Sequence, residues 1–218
     1  GNTVLGYENT IPVTMEESLA LTAAVRRGAR HAMVIGDMPF MSYQVSLEEA
    51  VANAGRYLKE VGADGVKLEG GRVMHGVISR LVDVGIPVMG HIGLLPQSVL
   101  KDGGYRMHGK TQEEADAILD DALAVQEAGA FAVVLEGVPE TLAEEITGRL
   151  TIPTIGIGAG PRCDGQVQVI TDILGLGGDF VPKHAKIYAQ LGEAALNGLK
   201  QYVQEVTKGN FTPGRPEN

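Results

Sequence analysis

A chain of 218 residues can bury a substantial core and sits in the size range where one compact domain, spanning residues 1–218, is expected. With 44% hydrophobic and 21% charged residues, 30 glycines and few aromatics, it is suited to a globular α/β protein and poorly suited to disorder or to a fibre. A formal charge of −9 argues against nucleic acid or an anionic membrane as partner, which leaves small molecules as the expected ligands. Cys163 is alone, so no internal disulfide forms. The apolar runs are broken by Gly, Pro or charge before they could cross a bilayer, and no signal peptide is recognisable, so a cytoplasmic protein is expected.

In chain order, residues 1–12 read as a loop, with Gly and Asn at the start and no initiator Met. A helix then opens at Thr14, whose hydroxyl stands three residues before Glu17 in capping-box spacing, and closes at Gly28 ahead of a strand over 31–37. Ser46 with Glu49 opens the next helix, Gly62 closes it, and a strand follows over 65–69. A third helical face ends at Gly85 before a strand over 87–92. Thr111 with Glu114 and Gly129 bracket a fourth helix, which feeds a strand over 131–136. Further strands are expected over 154–157 and 179–182, and the Pro- and Gly-rich end from 210 to 218 is expected to be exposed or covered by a partner.

The repeated phrase of helix, glycine and strand predicts parallel strands joined by crossover helices. Six strands do not close an eight-stranded barrel, which usually takes about 250 residues. Either the sheet is open and doubly wound, or this is a (β/α)8 TIM barrel whose first two strands are absent from the sequence.

The polar residues favour the barrel, because barrel chemistry sits at the carboxyl ends of strands. Asp37, Lys67 with Glu69, His91 and Glu136 fall at four consecutive strand ends. Each has a plainer reading. Asp37 could be a turn residue or a helix cap, Glu136 a cap ahead of Pro139, His91 a structural histidine, and Lys67 the partner of Glu69 in a buried ion pair. Together they are harder to explain that way. Lys67 and Glu69 alternate with Val66 and Leu68, so both point to one side of the sheet. His31, His75, His108 and His184 form no closely spaced ligand cluster and receive no role. The glycine-rich run from Gly156 to Gly160 could cradle a phosphate, but without a basic partner it reads better as a tight loop.

In order along the chain, the stretches GYENTIPVTMEE, AVRRGA, GDMPFMSY, GADGVKLEGG, PVMGHIGLLPQS, VVLEGVP, PTIGIGAG with CDGQV, and FVPKHAK resemble the ketopantoate hydroxymethyltransferase family. The resemblance implies a (β/α)8 barrel. It also implies transfer of a hydroxymethyl group from 5,10-methylenetetrahydrofolate to α-ketoisovalerate, giving ketopantoate for pantothenate synthesis through a Mg-bound enolate. Matched position by position, Asp37 corresponds to a metal ligand that also meets the keto acid, and Glu69 to a residue supporting Mg²⁺ through water. Lys67 corresponds to a cation on the substrate carboxylate, His91 to a substrate contact and Glu136 to the general base.

A homodecamer is implied as well, to be checked by size in solution. The family's upstream Gly-Asp-Ser segment, with a second direct metal ligand, has no counterpart here. The full gene product is therefore expected to exceed the 23.0 kDa of this chain, which intact mass would test. Two alternatives stay open: a related Mg²⁺-dependent keto-acid lyase or aldolase, separated by whether folate is required, and a non-catalytic barrel fragment serving binding or oligomerisation.

Overall fold

Helix signals in the first half of the chain are met by side-chain caps. The computed structural model describes residues 1–177, Pro182 and 184–212, without the side chains of Asn2 and Asp102. The chain divides into two compact units, Gly1–Val167 and Gln168–Asn218. After a short α1 (Asn2–Leu5), helix α2 (Met15–Gly28) opens on a complete capping box: Thr14 Oγ1 accepts from the Glu17 N–H at 3.2 Å, and Glu17 accepts the Thr14 N–H at 2.9 Å. Its last turn carries Arg26 and Arg27, whose positive charges interact favourably with the negative end of the helix dipole. Gly28 stays helical and Ala29 ends the helix in extended conformation, unlike the left-handed stop expected there. Gly62, at φ 70°, does provide such a stop.

Strand β1 (Ile35–Asp37) leads to α3 (Leu47–Val61), β2 (Gly65–Lys67), α4 (His75–Asp83) and β3 (Val88–Gly93). A short α5 (Val99–Asp102) and the long α6 (Gln112–Glu127) precede β4 (Ala132–Glu136), α7 (Glu140–Arg149), β5 (Thr154–Ile157) and β6 (Gly165–Gln166). All neighbouring strands are parallel, and the spatial order is β1-β2-β3-β4-β5-β6, the same as the order in sequence. A doubly wound sheet reverses direction at a switch point. This one winds a single way, as consecutive strands of a (β/α) barrel do.

Alternation along the strands divides the two faces. Val66 and Leu68, Val88 and Ile92, and Val133 and Leu135 join one buried cluster with helix residues Leu19, Tyr57, Ile78, Leu81, Val125 and Ile146. Fully burying an aliphatic side chain of this size contributes about 1.5–3 kcal/mol, and this shared face holds the helices against the sheet. The other face receives Asp37, Lys67, His91 and Glu136.

Two strands are shorter than expected. Residues 31–34 stay outside the ladder, and the Val34 N–H goes to Asp64 Oδ2 at 2.8 Å. Glu69 lies just past β2, although the N–H groups of Leu68 and Gly70 still bond to Met89 and His91 carbonyls. The strand expected over 179–182 lies, apart from Pro182, outside the described residues.

The second unit contains α8 (Ile170–Ile173) and α9 (Leu191–Thr207), and the Tyr188 N–H in the segment ahead of α9 donates to the Ile173 carbonyl at 2.8 Å. Tyr202 meets Phe211 edge-on, with ring centres 5.4 Å apart. Among the described residues no helix is long and apolar enough to cross a membrane.

Candidate active site

Strand register decides which charged side chains meet. Asp37 and Lys67 are opposite each other across β1 and β2, so they leave the sheet on one face, and Lys67 Nζ reaches Asp37 Oδ1 at 2.7 Å. Lys67 is opposite Met89 in turn, which puts His91, two residues on, on that face with its Nδ1 3.2 Å from Lys67 Nζ. His91 is opposite Val134, and Glu136 two residues on extends the row. His91 Nε2 lies 3.1 Å from Glu136 Oε2, without the alignment of a hydrogen bond. Glu69 enters from beyond β2, its Oε1 4.0 Å from His91 Nδ1. The residues singled out at strand ends therefore form one cluster, open at Asp37 (59% exposed side chain) and closed at His91 (4%).

Charge balance within the cluster is uneven. Burial works against the Lys67 charge, but Asp37 and Glu69 outweigh it and hold the ammonium above its ordinary value. Burial pushes the Glu69 carboxyl up, against the opposing pull of Lys67. Burial, then the fields of Glu136 and Glu69, raise the Tyr105 phenol, so the loop after α5 stands within electrostatic reach of the cluster.

The backbone at Asp37 and the carboxylate of Glu69 are each held by hydrogen bonds from other elements. Gly36 has no side chain, and the Tyr57 ring occupies the space a Cβ would need. Tyr57 Oη then sits 2.9 Å from the Asp37 carbonyl oxygen and 2.7 Å from Ser18 Oγ, which donates to the same carbonyl. Burial pushes this phenol up to about 12. Tyr43 and Gln97, which drew no attention in the sequence, surround Glu69: Tyr43 Oη donates to Gln97 Oε1 at 2.8 Å, and the Gln97 N–H donates to Glu69 Oε2 at 3.0 Å. Tyr43 is the last residue of GDMPFMSY and Gln97 the next to last of PVMGHIGLLPQS, and membership of those stretches was the available signal. After β5, the chain turns at Gly158 and Gly160 with positive φ, as a tight loop.

The donors that could hold a cation are oxygens from Asp37 and Glu69. Among the described residues no three His, Cys, Asp or Glu side chains form a cage. So sparse a set does not suit Zn²⁺, which takes a fuller shell rich in nitrogen and sulfur. It suits Mg²⁺, which is commonly bound through one or two carboxylates and completes its octahedron with water and substrate.

The molecule resembles a crystal structure of phosphonopyruvate hydrolase with TM-score 0.54 at 15% identity, covering 92% of this chain and 69% of that one. A putative phosphonomutase from Burkholderia cenocepacia gives 0.52 at 16%, covering 90% and 77%. At such identities the likeness is one of fold. In sequence, the chain is 58% identical over 211 residues to the 3-methyl-2-oxobutanoate hydroxymethyltransferase of Thermotoga neapolitana, covering 97% of this chain and 78% of that protein. It is 55% identical over 218 residues to the enzyme of the same name from Kosmotoga olearia, covering 100% and 80%. The ketopantoate hydroxymethyltransferase family model matches residues 1–214. On that match and those identities, the chain belongs to the ketopantoate hydroxymethyltransferase family and is an enzyme of the hydroxymethyltransferase class.

Proposed function

We propose that this enzyme takes its hydroxymethyl unit from 5,10-methylenetetrahydrofolate and adds it to C3 of α-ketoisovalerate, which is 3-methyl-2-oxobutanoate, using Mg²⁺ held at Asp37 and Glu69. The observation that carries the reading is the row on one sheet face: a carboxylate at Glu136, an imidazole 3.1 Å from it, and the Lys67 ammonium 3.2 Å beyond. Glu136, with a side chain 20% exposed, is reachable by substrate and suited to take the C3 proton. The Lys67 ammonium, kept charged by its neighbours, suits the carboxylate of the keto acid. The bound cation supplies Lewis acidity, polarising the keto group as negative charge develops. The C3 electron pair then bonds to the folate methylene carbon, whose two bonds to the folate nitrogens break; water supplies the hydroxyl, and the freed nitrogens take up the remaining water proton and the proton that left C3.

Loss of the C3 proton of α-ketoisovalerate in D₂O, followed by NMR with and without Mg²⁺, tests the first step without folate. Metal-dependent exchange is expected in the wild type, with a drop of about a hundredfold to ten-thousandfold in Glu136→Gln. Equal exchange in the two proteins would remove Glu136 from the role of base.

A further inference from the structure

The loops after β1, β2 and β3 are joined beneath the cluster by a closed circuit of hydrogen bonds. The Glu69 N–H donates to Tyr43 Oη at 3.1 Å, and Tyr43 Oη donates to Gln97 Oε1 at 2.8 Å. The amide of Gln97 is then fixed in orientation, because its Nε2 donates to the Met38 carbonyl at 2.8 Å, a group that can only accept. The circuit returns to its start when the Gln97 backbone N–H donates to Glu69 Oε2 at 3.0 Å. Tyr43, Glu69 and Gln97 are 1%, 7% and 8% exposed. Each of the four bonds in this buried circuit has a definite direction, the condition under which a buried network rigidifies what it holds. It fixes one carboxylate oxygen and leaves the other, Oε1, turned toward His91.

We propose that Tyr43 and Gln97 are positioning residues that hold Glu69 in the orientation in which its free oxygen serves the cation, an inference that rests on the reading of Glu69 as a support of the metal. A network serving only the fold would lower stability when cut and leave metal binding alone. One serving Glu69 loses its effect on the metal once Glu69 is gone.

The test uses the full-length protein, with Mn²⁺ as probe and no keto acid or folate present. Mn²⁺ affinity is read by electron paramagnetic resonance for Tyr43→Phe, Gln97→Leu, Glu69→Gln and the doubles, and amide exchange at Glu69 is read without metal. Tyr43→Phe and Gln97→Leu are each expected to weaken Mn²⁺ binding by about tenfold to a hundredfold and to speed Glu69 amide exchange. Adding either to Glu69→Gln is expected to cost nothing more. Thr147→Val, which removes a 2.8 Å contact with buried Thr154 at the other end of β5, controls for stability and should lower the melting temperature while sparing Mn²⁺ affinity. Unchanged Mn²⁺ affinity in both single variants, or losses that add to that of Glu69→Gln, would overturn the positioning role. A Glu69→Gln protein that binds Mn²⁺ as the wild type does would instead remove Glu69 from the metal, and the positioning role with it.

Discussion

An ammonium has hydrogens to give and no lone pair to receive one, so the 3.2 Å contact between Lys67 Nζ and His91 Nδ1 makes the ring nitrogen the acceptor. The neutral imidazole then carries its proton on Nε2, facing Glu136 Oε2 at 3.1 Å. Lys67 thereby sets which nitrogen faces the carboxylate. Nitrogen-15 NMR of histidine-labelled protein is expected to show His91 as the Nε2–H tautomer, and Lys67→Met is expected to release that preference. A dominant Nδ1–H form in the wild type would break the chain of contacts. These residues were legible in the sequence because each is a charged or polar residue at the end of an apolar strand, and period-two alternation says which side it takes. Tyr43 and Gln97 were not. They lie in irregular loops with no period, and their partners sit 26 to 59 residues away in sequence, so only the folded chain brings them to Glu69.

Elements show where local signals suffice and where tertiary contacts override them. Thr14, Ser46 and Thr111 all cap their helices as their spacing predicts, yet the Glu three residues on behaves differently in each setting. Glu17 returns to its own cap, whereas Glu114 turns outward to the N–H groups of Gly109 and Lys110 and to Arg106. The Lys110 N–H first, and Arg106 next, hold the Glu114 carboxyl below its ordinary 4.5. A depressed folded-state value means that the anchorage is whole above pH 4.5 and is lost as pH falls through the lowered value. Intrinsic-rate-corrected hydrogen exchange at Gly109 and Lys110 should therefore lose protection on acidification, and Glu114→Ala should lack that protection at every pH. Protection unchanged in the variant would show that the loop is held by other contacts. The short β1 has a similar lesson. A methyl at position 36 would run into the buried Tyr57 ring, which is tethered through its hydroxyl at Asp37. Gly36→Ala is expected to lower the unfolding free energy by about 1–3 kcal/mol, read as a lower denaturant midpoint, and an unchanged midpoint would mean that the ring yields. β6, two residues long, has no apolar pattern from which it could have been expected.

At the scale of the whole molecule, the single winding of the sheet has a bearing on biosynthesis. Among the described residues, every hydrogen-bonded strand pair joins strands adjacent in sequence, so each of these strands can find its neighbour as soon as the next unit leaves the ribosome. The intervals are unequal. Ile155 and its register partner Gly165 are separated by one tight loop, whereas Met89 must wait for Ala132, with α5 and the whole of α6 made in between. At translation speeds of about 5–20 residues per second, the free edge of β3 stays unpaired for several seconds, the longest such interval in the sheet. β3 is also an apolar strand, with Val88 and Ile92 bound for the core, and an unpaired edge of that kind invites association with other chains. Nascent chains stalled before β4 should expose β3 to protease and to trigger-type chaperones, and chains stalled beyond β5 should not. Equal protection at the two lengths would mean that α4 shields the strand before its partner arrives. Synonymous changes that slow translation between residues 93 and 132 would then be the ones to lower the yield of folded enzyme, although they alter no side chain.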